Sequence, residues 1–439
     1  MMPLMAQVGR RTALKHGSMA LMGLGLGSCA SRTSPPVSAP ARRLNLPVVR
    51  AAWDRVVRTT VGLRPHRPCG FLVAAEKLDH KTIIHNYGHG GAGISTSWGT
   101  GYLATELALQ QEDRRAAVLG CGAAGLTAAR QLQRHGFDVT IYSKSVPPDT
   151  TSNMSWAGFT PTSGLLGPGG RTPAWVSQFQ RAAEISYRQL QFLVGADHGV
   201  SWIDTYLGMR RLPESGEEPE GEAGPSDEAG LLPASLQTGQ ETLGPGEHPF
   251  PSPYVRRGTT IRVEPSVYLD ALVRDVELFG ARIVLRTFAG PRDLMALGES
   301  LIVNCTGLGS RDLFDDQTML PIKGQLTHLI PQPEIDYSTF GGFSAPGQPG
   351  AMAIHMMPRR DGIALGGTSE RNVWSMEPNE EARQRVVNGF IQLFGAMAPP
   401  VPGMLLRRSM APRRAPGLDR LTHGTPWWRS IQEEATGTT

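Results

Sequence analysis

Cysteine is scarce: four in 439 residues, Cys29, Cys69, Cys121 and Cys305, widely spaced and in unlike surroundings. No C-x-x-C pair and no His/Cys cluster of metal-ligand spacing occurs, which argues against a disulfide framework and against a metal site. Excess charge of one sign is lacking too. Setting aside the leader cations Arg10, Arg11 and Lys15 takes the formal net charge from +4 to +1, so a basic face for nucleic acid is not expected. The apolar run Ser18 to Ser28 is too short to cross a bilayer as a permanent helix. No internal repeat is visible.

What is present is length and loops. A chain of 439 residues with 52 Gly and 35 Pro suits a loop-rich globular protein of two interleaved domains rather than one small core. The leader reads Gly9-Arg10-Arg11-Thr12-Ala13-Leu14-Lys15, then the apolar run, then Leu26-Gly27-Ser28-Cys29. This order resembles a twin-arginine export signal over residues 1–28 followed by the cleavage and lipidation box of a bacterial lipoprotein. It implies an exported protein, periplasmic or held at a membrane by a lipid anchor through Cys29, with a cytoplasmic protein bearing a frayed N-terminus as the alternative. Residues 29–47 are rich in Ser, Pro and Ala and read as a linker, with structure expected from near Val48.

From Ala116 the order is strand, turn, helix, strand. Ala116 to Leu119 is a short apolar run, Gly120-Cys121-Gly122-Ala123-Ala124-Gly125 follows, Leu126 to His135 has helical spacing, and Val139 to Tyr142 is a second strand. A G-x-G-x-x-G placed so is a dinucleotide site: its glycines serve a tight turn, close approach of backbone to a pyrophosphate, and close helix packing. Amides at the helix N-terminus then face the phosphate charge. The ribose-binding acid expected after the second strand is missing, since Tyr142-Ser143 is followed by Lys144, which weighs against a nicotinamide cofactor. Residues 214–248 are acidic and Gly/Pro-rich and read as a solvated loop. Further on, Val267 to Phe279 reads as a helix, and Arg282 to Leu285, Leu301 to Val303 and Ile363 to Gly367 as strands.

Ahead of the nucleotide motif stand Val61-Gly62-Leu63-Arg64-Pro65-His66-Arg67-Pro68 and Ile84-His85-Asn86-Tyr87-Gly88-His89-Gly90-Gly91-Ala92-Gly93-Ile94-Ser95. Together they resemble the C-terminal signature of the D-amino-acid oxidase family. Four more pieces are similar to the family in its own order: Asp149 to Asn153 with Trp156-Ala157-Gly158, Thr259-Thr260 with Val267-Tyr268-Leu269 at the start of the middle helix, Val303 to Gly307, and Pro321 to Gln325. The resemblance covers about Val48 to Met397 and implies an α/β fold, a Rossmann-like FAD-binding domain interleaved with a mixed α+β substrate domain, in circularly permuted order. The joint would lie at Gln110 to Arg115. The segments implied are 48–112, the transposed flank of the flavin and substrate site; 113–165, the βαβ unit; 166–257, part of the substrate domain; 258–315, the return to the FAD domain; 316–397, substrate-domain strands; and 398–439, a Pro/Arg-rich tail.

The resemblance further implies FAD, held without a covalent bond by Gly120, Gly122, Ala123, Ala124 and Gly125, by Thr150, Thr151 and Ser152, by Asn304, Cys305, Thr306 and Gly307, and by Gly90, Gly91, Ala92, Gly93, Ile94 and Ser95. The helix from Thr96 to Leu109 would point its N-terminus at the flavin's pyrimidine edge. Arg64, rather than Arg67, would anchor the carboxylate of an amino-acid substrate, because a guanidinium offers two parallel donors matched to a carboxylate. Oxygen would be the electron acceptor. Where the family carries tyrosines this chain has Ala351 and His355. His355 stays open between bonding the carboxylate, acting on the amine proton, and lining the pocket. A glycine or secondary-amine oxidase or dehydrogenase and a non-catalytic flavoprotein are the alternatives.

Overall fold

The computed structural model describes residues 43–164, 171–212, 231–236, 239–343 and 354–401. Arg10, Arg11 and Cys29 of the leader, Ala351, much of the acidic stretch and the tail beyond Val401 lie outside the described residues.

In chain order the elements are β1 (Val56–His66), β2 (Leu72–Leu78), β3 (Lys81–Tyr87), α1 (Gly93–Ala108), β4 (Arg115–Leu119), α2 (Ala123–Arg134) and β5 (Asp138–Ser143). There follow α3 (Pro173–Phe192), β6 (Val200–Met209), β7 (Glu241–Leu243), β8 (Tyr254–Val263), α4 (Pro265–Leu278), β9 (Arg282–Leu285), α5 (Pro291–Met295), β10 (Leu301–Asn304) and α6 (Ser310–Leu313). The last are β11 (Leu320–Leu329), β12 (Tyr337–Phe340), β13 (His355–Arg359), β14 (Gly362–Gly366), β15 (Glu370–Arg371) and α7 (Glu380–Gly395).

Local chemistry sets several boundaries. Proline opens α3 and α4 at a position whose N–H would have no helical acceptor. Thr172 caps α3 by accepting from the Trp175 amide, and Asn379 caps α7 by accepting from the Ala382 amide.

Six strands form one sheet in the order β2-β3-β10-β4-β5-β9, parallel except for β2 against β3. β3 and β10 are buried along their whole length, as parallel strands covered on both faces must be. The main apolar core lies between this sheet and α1 to α4.

The second sheet runs β1-β11-β14-β13-β12-β6-β8-β7, with β15 also on β11. Opposed residues of a ladder share a face, and the register therefore sorts its side chains. Tyr206, Tyr337, Met356, Leu365 and Leu329 fall on the outer face and pack with α7 in a second core. Arg64, Gly324, Leu326, Gly366, His355 and Phe340 fall on the inner face.

Four expectations are corrected. Order begins before Val48, because Leu46 is buried in the second core and the Leu44 amide bonds to the Glu247 carbonyl. The acidic stretch ends in packed structure, not solvated loop: Glu241 to Leu243 pair with β8 and His248 is buried. Composition pointed the other way because three β7 residues bring one apolar side chain, Leu243, to the core. Thr259 and Thr260 lie in β8, and the helix starts at Pro265, where the extended backbone of Glu264 gives way to an N1 proline. The tail reading from 398 also holds order at its start, since the Ala398 amide bonds to the Pro249 carbonyl. At the far end the Val401 amide meets the Asn45 side chain at 2.9 Å, so the two described ends of the chain touch.

Candidate cofactor and substrate site

The turn between β4 and α2 is shaped by two glycines. Gly120 has φ +109°, which an L side chain rarely adopts, and a β-carbon at Gly125 would fall 1.9 Å from the Gly120 carbonyl oxygen. α2 therefore starts hard against the turn, with first-turn amides that have no helical acceptor. Two serines address that spot: Ser143 Oγ accepts from the Cys121 amide at 3.2 Å and Ser152 Oγ from the Ala123 amide at 3.0 Å. An oxygen acceptor is thus already favoured where a phosphate oxygen would sit. Thr150 holds its own turn, donating to Asn153 Oδ1 at 2.8 Å, while Thr151 opens the short helical turn and is exposed.

Residues 304–307 close the turn from the other side. The Cys305 amide donates to the Leu119 carbonyl, and a β-carbon at Gly120 would fall 2.6 Å from the Cys305 carbonyl oxygen. Asn304 fixes this stretch: its Oδ1 accepts from the Thr306 amide and hydroxyl at 3.1 and 2.7 Å, so its Nδ2 must be the group facing Ser310 Oγ and His85 Nδ1, each at 3.1 Å. His85 Nδ1 is then an acceptor and its proton sits on Nε2, 3.0 Å from the Glu76 carboxylate. Burial pushes the Cys121 and Cys305 thiols up to about 12, which leaves neither as a thiolate able to attach a cofactor.

The loop before α1 packs into the same region. The Gly90 amide donates to the Pro65 carbonyl at 2.9 Å, the Gly91 amide to the Ser163 carbonyl at 3.0 Å, and Ser95 Oγ accepts from the Thr160 amide at 2.8 Å. Pro65 in turn lies against Gly307. Ala92 caps α1 without a side-chain bond and no acid stands in the first turn, so the positive helix end beyond Gly93 and Ile94 is not neutralised locally. α1 crosses α2 closely, with Thr127 Oγ1 donating to the Ser97 carbonyl at 2.9 Å.

On the inner face of the large sheet two cationic or titratable side chains lean toward each other. Arg64 reaches from β1 over Gly324 of β11, where a β-carbon would fall 2.7 Å from its guanidinium, and donates to the Thr368 carbonyl at 3.4 and 3.5 Å. His355 reaches from β13 over Gly366 of β14, where a β-carbon would fall 2.3 Å from Nε2. β11 and β14 are neighbours, and their two glycines make room for the two side chains on the inner face. Phe340 stacks on His355 at 5.8 Å and Trp156 meets it edge-on at 5.0 Å. Arg67 is engaged elsewhere, its Nε 3.1 Å from Asp316, which also accepts from the Tyr87 hydroxyl. Gly324, Gly366, Phe340 and the Glu76–His85 pair received no place in the site from the sequence, and only their register or their long-range contacts mark them.

The residues fit a flavin dinucleotide. Next to residues 304–307, Asn86 lies wholly buried against the Cys305 thiol, and neither of its carboxamide atoms has hydrogen-bond geometry with any described group. A buried carboxamide of this kind calls for a polar ligand. Residues 115–427 match the family described as FAD dependent oxidoreductase, DAO. The chain belongs to this family of enzymes. It is 25% identical over 343 residues to the D-amino-acid oxidase of Rubrobacter xylanophilus, covering 74% of this chain and 91% of that protein. Against the D-amino-acid oxidase of Streptomyces coelicolor it is 26% identical over 316 residues, 72% and 88% of the two chains. Among solved structures, glycine oxidase from Bacillus cereus ATCC 14579 aligns over 65% of this chain and 79% of its own with 15% identity and a TM-score of 0.43. FAD is the cofactor of the oxidoreductase, and the α/β fold expected from the sequence is the one observed.

One property of the loop is open to direct measurement. His89 is buried, 3.0 Å from Thr100 Oγ1 and stacked on Phe71, and burial pushes its pKa down to about 4. Its unfolded value is about 6.5, so the unfolded chain takes up the proton first as the pH drops. The stabilisation is complete above about 6.5 and disappears toward about 4, an effect of roughly 3 kcal/mol. Urea unfolding at pH 7 and pH 4.5 is expected to show this loss in the wild type and a shallower loss in His89→Gln. Equal slopes in both proteins would show that another group carries the acid sensitivity.

Proposed function

We propose that the enzyme oxidises D-amino acids to 2-oxo acids and ammonia, with dioxygen reduced to hydrogen peroxide. One observation carries the reading: a guanidinium, Arg64, lies over a glycine floor on the inner sheet face, on the strand whose Pro65 touches both Gly307 and the Gly90 loop. FAD, when bound, would supply the two-electron acceptor for the Cα hydride, with dioxygen as the final oxidant. Arg64 binds the α-carboxylate through two parallel donors and so fixes where the Cα–H points. His355, stacked on Phe340 and edge-on to Trp156, forms the pocket wall, and the apolar rings keep water from the reacting carbon. The amine enters neutral and no protein base is required. The imino acid released adds water and splits into 2-oxo acid and ammonia. The names of both curated relatives support the D configuration.

We also read the chain as a circular permutation of the family order. The match beginning at Arg115, the short joint between α1 and β4, and the contact of Asn45 with Val401 all support it.

The test is anaerobic bleaching of the flavin absorbance by a panel of D- and L-amino acids, followed by admission of air and a peroxide assay. Bleaching by D-amino acids with peroxide on reoxidation is expected. Bleaching only by glycine, secondary amines or L-amino acids would overturn the substrate, and absence of peroxide would overturn the acceptor.

A further inference from the structure

The inner face of the large sheet holds an imbalance of charge that α-carboxylate binding does not account for. Its register places Arg58, Arg64, Arg256, Arg262, Arg359 and Arg371 on that face and, among the described strand residues, no Asp or Glu. Acids at strand ends neutralise some of these. Asp361 serves Arg58 and Arg359, and Glu264 serves Arg262. Arg371 is different: it is exposed, and it makes no hydrogen bond or ion pair with any described residue.

Its position is fixed by two ladders. Ile322 of β11 stands opposite Arg64 on one side and opposite Arg371 of β15 on the other, so the three residues form one row on one face. Two inter-strand steps put the Arg64 and Arg371 Cα atoms about 10 Å apart, close enough for two long side chains to close on one small molecule. The row also lies at the cofactor end of the sheet. His66, the next inner-face residue of β1, bonds through Nδ1 to the Gly164 carbonyl at 3.0 Å, and Gly164 abuts Gly90 and Gly91. The pKa of His66 is lowered by its burial and, further, by the charge of Arg371, which places that charge nearby.

We propose that Arg371 is the ligand for a second carboxylate of the substrate, so that the D-amino acids preferred by this enzyme are dicarboxylic. The inference rests on Arg64 as the α-carboxylate anchor. With Arg64 holding one end and Arg371 the other, the Cα–H between them is oriented by two points rather than one. A neutral side chain would leave the Arg371 charge with water alone and gain nothing from it. A carboxylate bound between them also offsets the repulsion between the two guanidinium groups.

The experiment uses the FAD-loaded full chain and follows anaerobic flavin reduction by D-aspartate and D-glutamate, by their isosteric amides D-asparagine and D-glutamine, and by D-alanine. A charge-assisted pair contributes about 1.5–3 kcal/mol, so the acids are expected to exceed the amides in efficiency by about tenfold to a hundredfold. Arg371→Met should remove that preference, leave D-alanine and the amides within about twofold, and leave flavin content unchanged; Arg371→Lys should restore part of it. Equal reduction by acids and amides in the wild type, or an equal loss on all five substrates in Arg371→Met, would overturn the second-carboxylate site and leave D-amino-acid oxidation standing. Absence of reduction by any of the five, with bleaching by other amines, would instead bring down the functional reading on which the site rests.

Discussion

Arg64→Ala is expected to keep its flavin and to lose at least about a hundredfold in efficiency on its best substrate. The guanidinium lies on the substrate sheet over Gly324 and bonds the Thr368 carbonyl, away from the cofactor cradle at 120–125 and 304–307, so the cradle stays intact. The loss combines a charge-assisted pair of about 1.5–3 kcal/mol with misorientation of the Cα–H. Arg64→Lys should recover little, because a point charge does not reproduce the fork. Arg67→Ala is the informative control. Arg67 and Tyr87 meet on Asp316, so its removal should lower thermal stability while leaving the rate per bound flavin close to normal. Full activity in Arg64→Ala would remove the anchor and, with it, the chemical basis for amino-acid oxidation.

Gly125→Ala should abolish flavin binding. The added carbon would stand 1.9 Å from a backbone oxygen that cannot rotate away, so α2 has to back off from the turn and carry its first amides with it. Those amides are the anion site. A protein purified colourless, with FAD affinity reduced by about a hundredfold or more (~2.7 kcal/mol), is the expected result of fluorescence titration. Gly122→Ala is the milder partner, since its carbon meets only the Ser152 hydroxyl at 3.0 Å and that side chain can turn. FAD binding in Gly125→Ala equal to the wild type would mean that the phosphates lie elsewhere.

The βαβ unit was legible because everything that defines it is local: an apolar run, glycines at fixed offsets and a helical period all fall between Ala116 and Tyr142, and β4, α2 and β5 appear there. Resemblance carried the reading to Gly90, Ser152 and Asn304, whose partners in the structure are one another's neighbours. The inner sheet face was hidden for a physical reason. Whether Arg64, Gly324, Gly366 and His355 share a side depends on the register of three strand pairs, one of them between strands more than two hundred residues apart, and a slip of one residue would turn side chains to the α7 side. Arg371 is hidden more deeply still, in a two-residue strand that no periodicity reveals. His355 could be read as a titratable group from sequence, but its ring contacts with Phe340 and Trp156 are what give it a place.

The order of the strands also sets a timetable for manufacture. Thr59 of β1 meets Thr327 of β11 across 268 residues, and His85 of β3 meets Asn304 of β10 across 219. At ribosomal speeds of about 5–20 residues per second, the first strands made wait roughly ten seconds to a minute for the partners that pair them. Through that interval β1 and β3 present open edges, a state that favours sticking to other chains. The flank of the cradle that is synthesised first is therefore the last to be assembled, and FAD is captured only after β10 has been made.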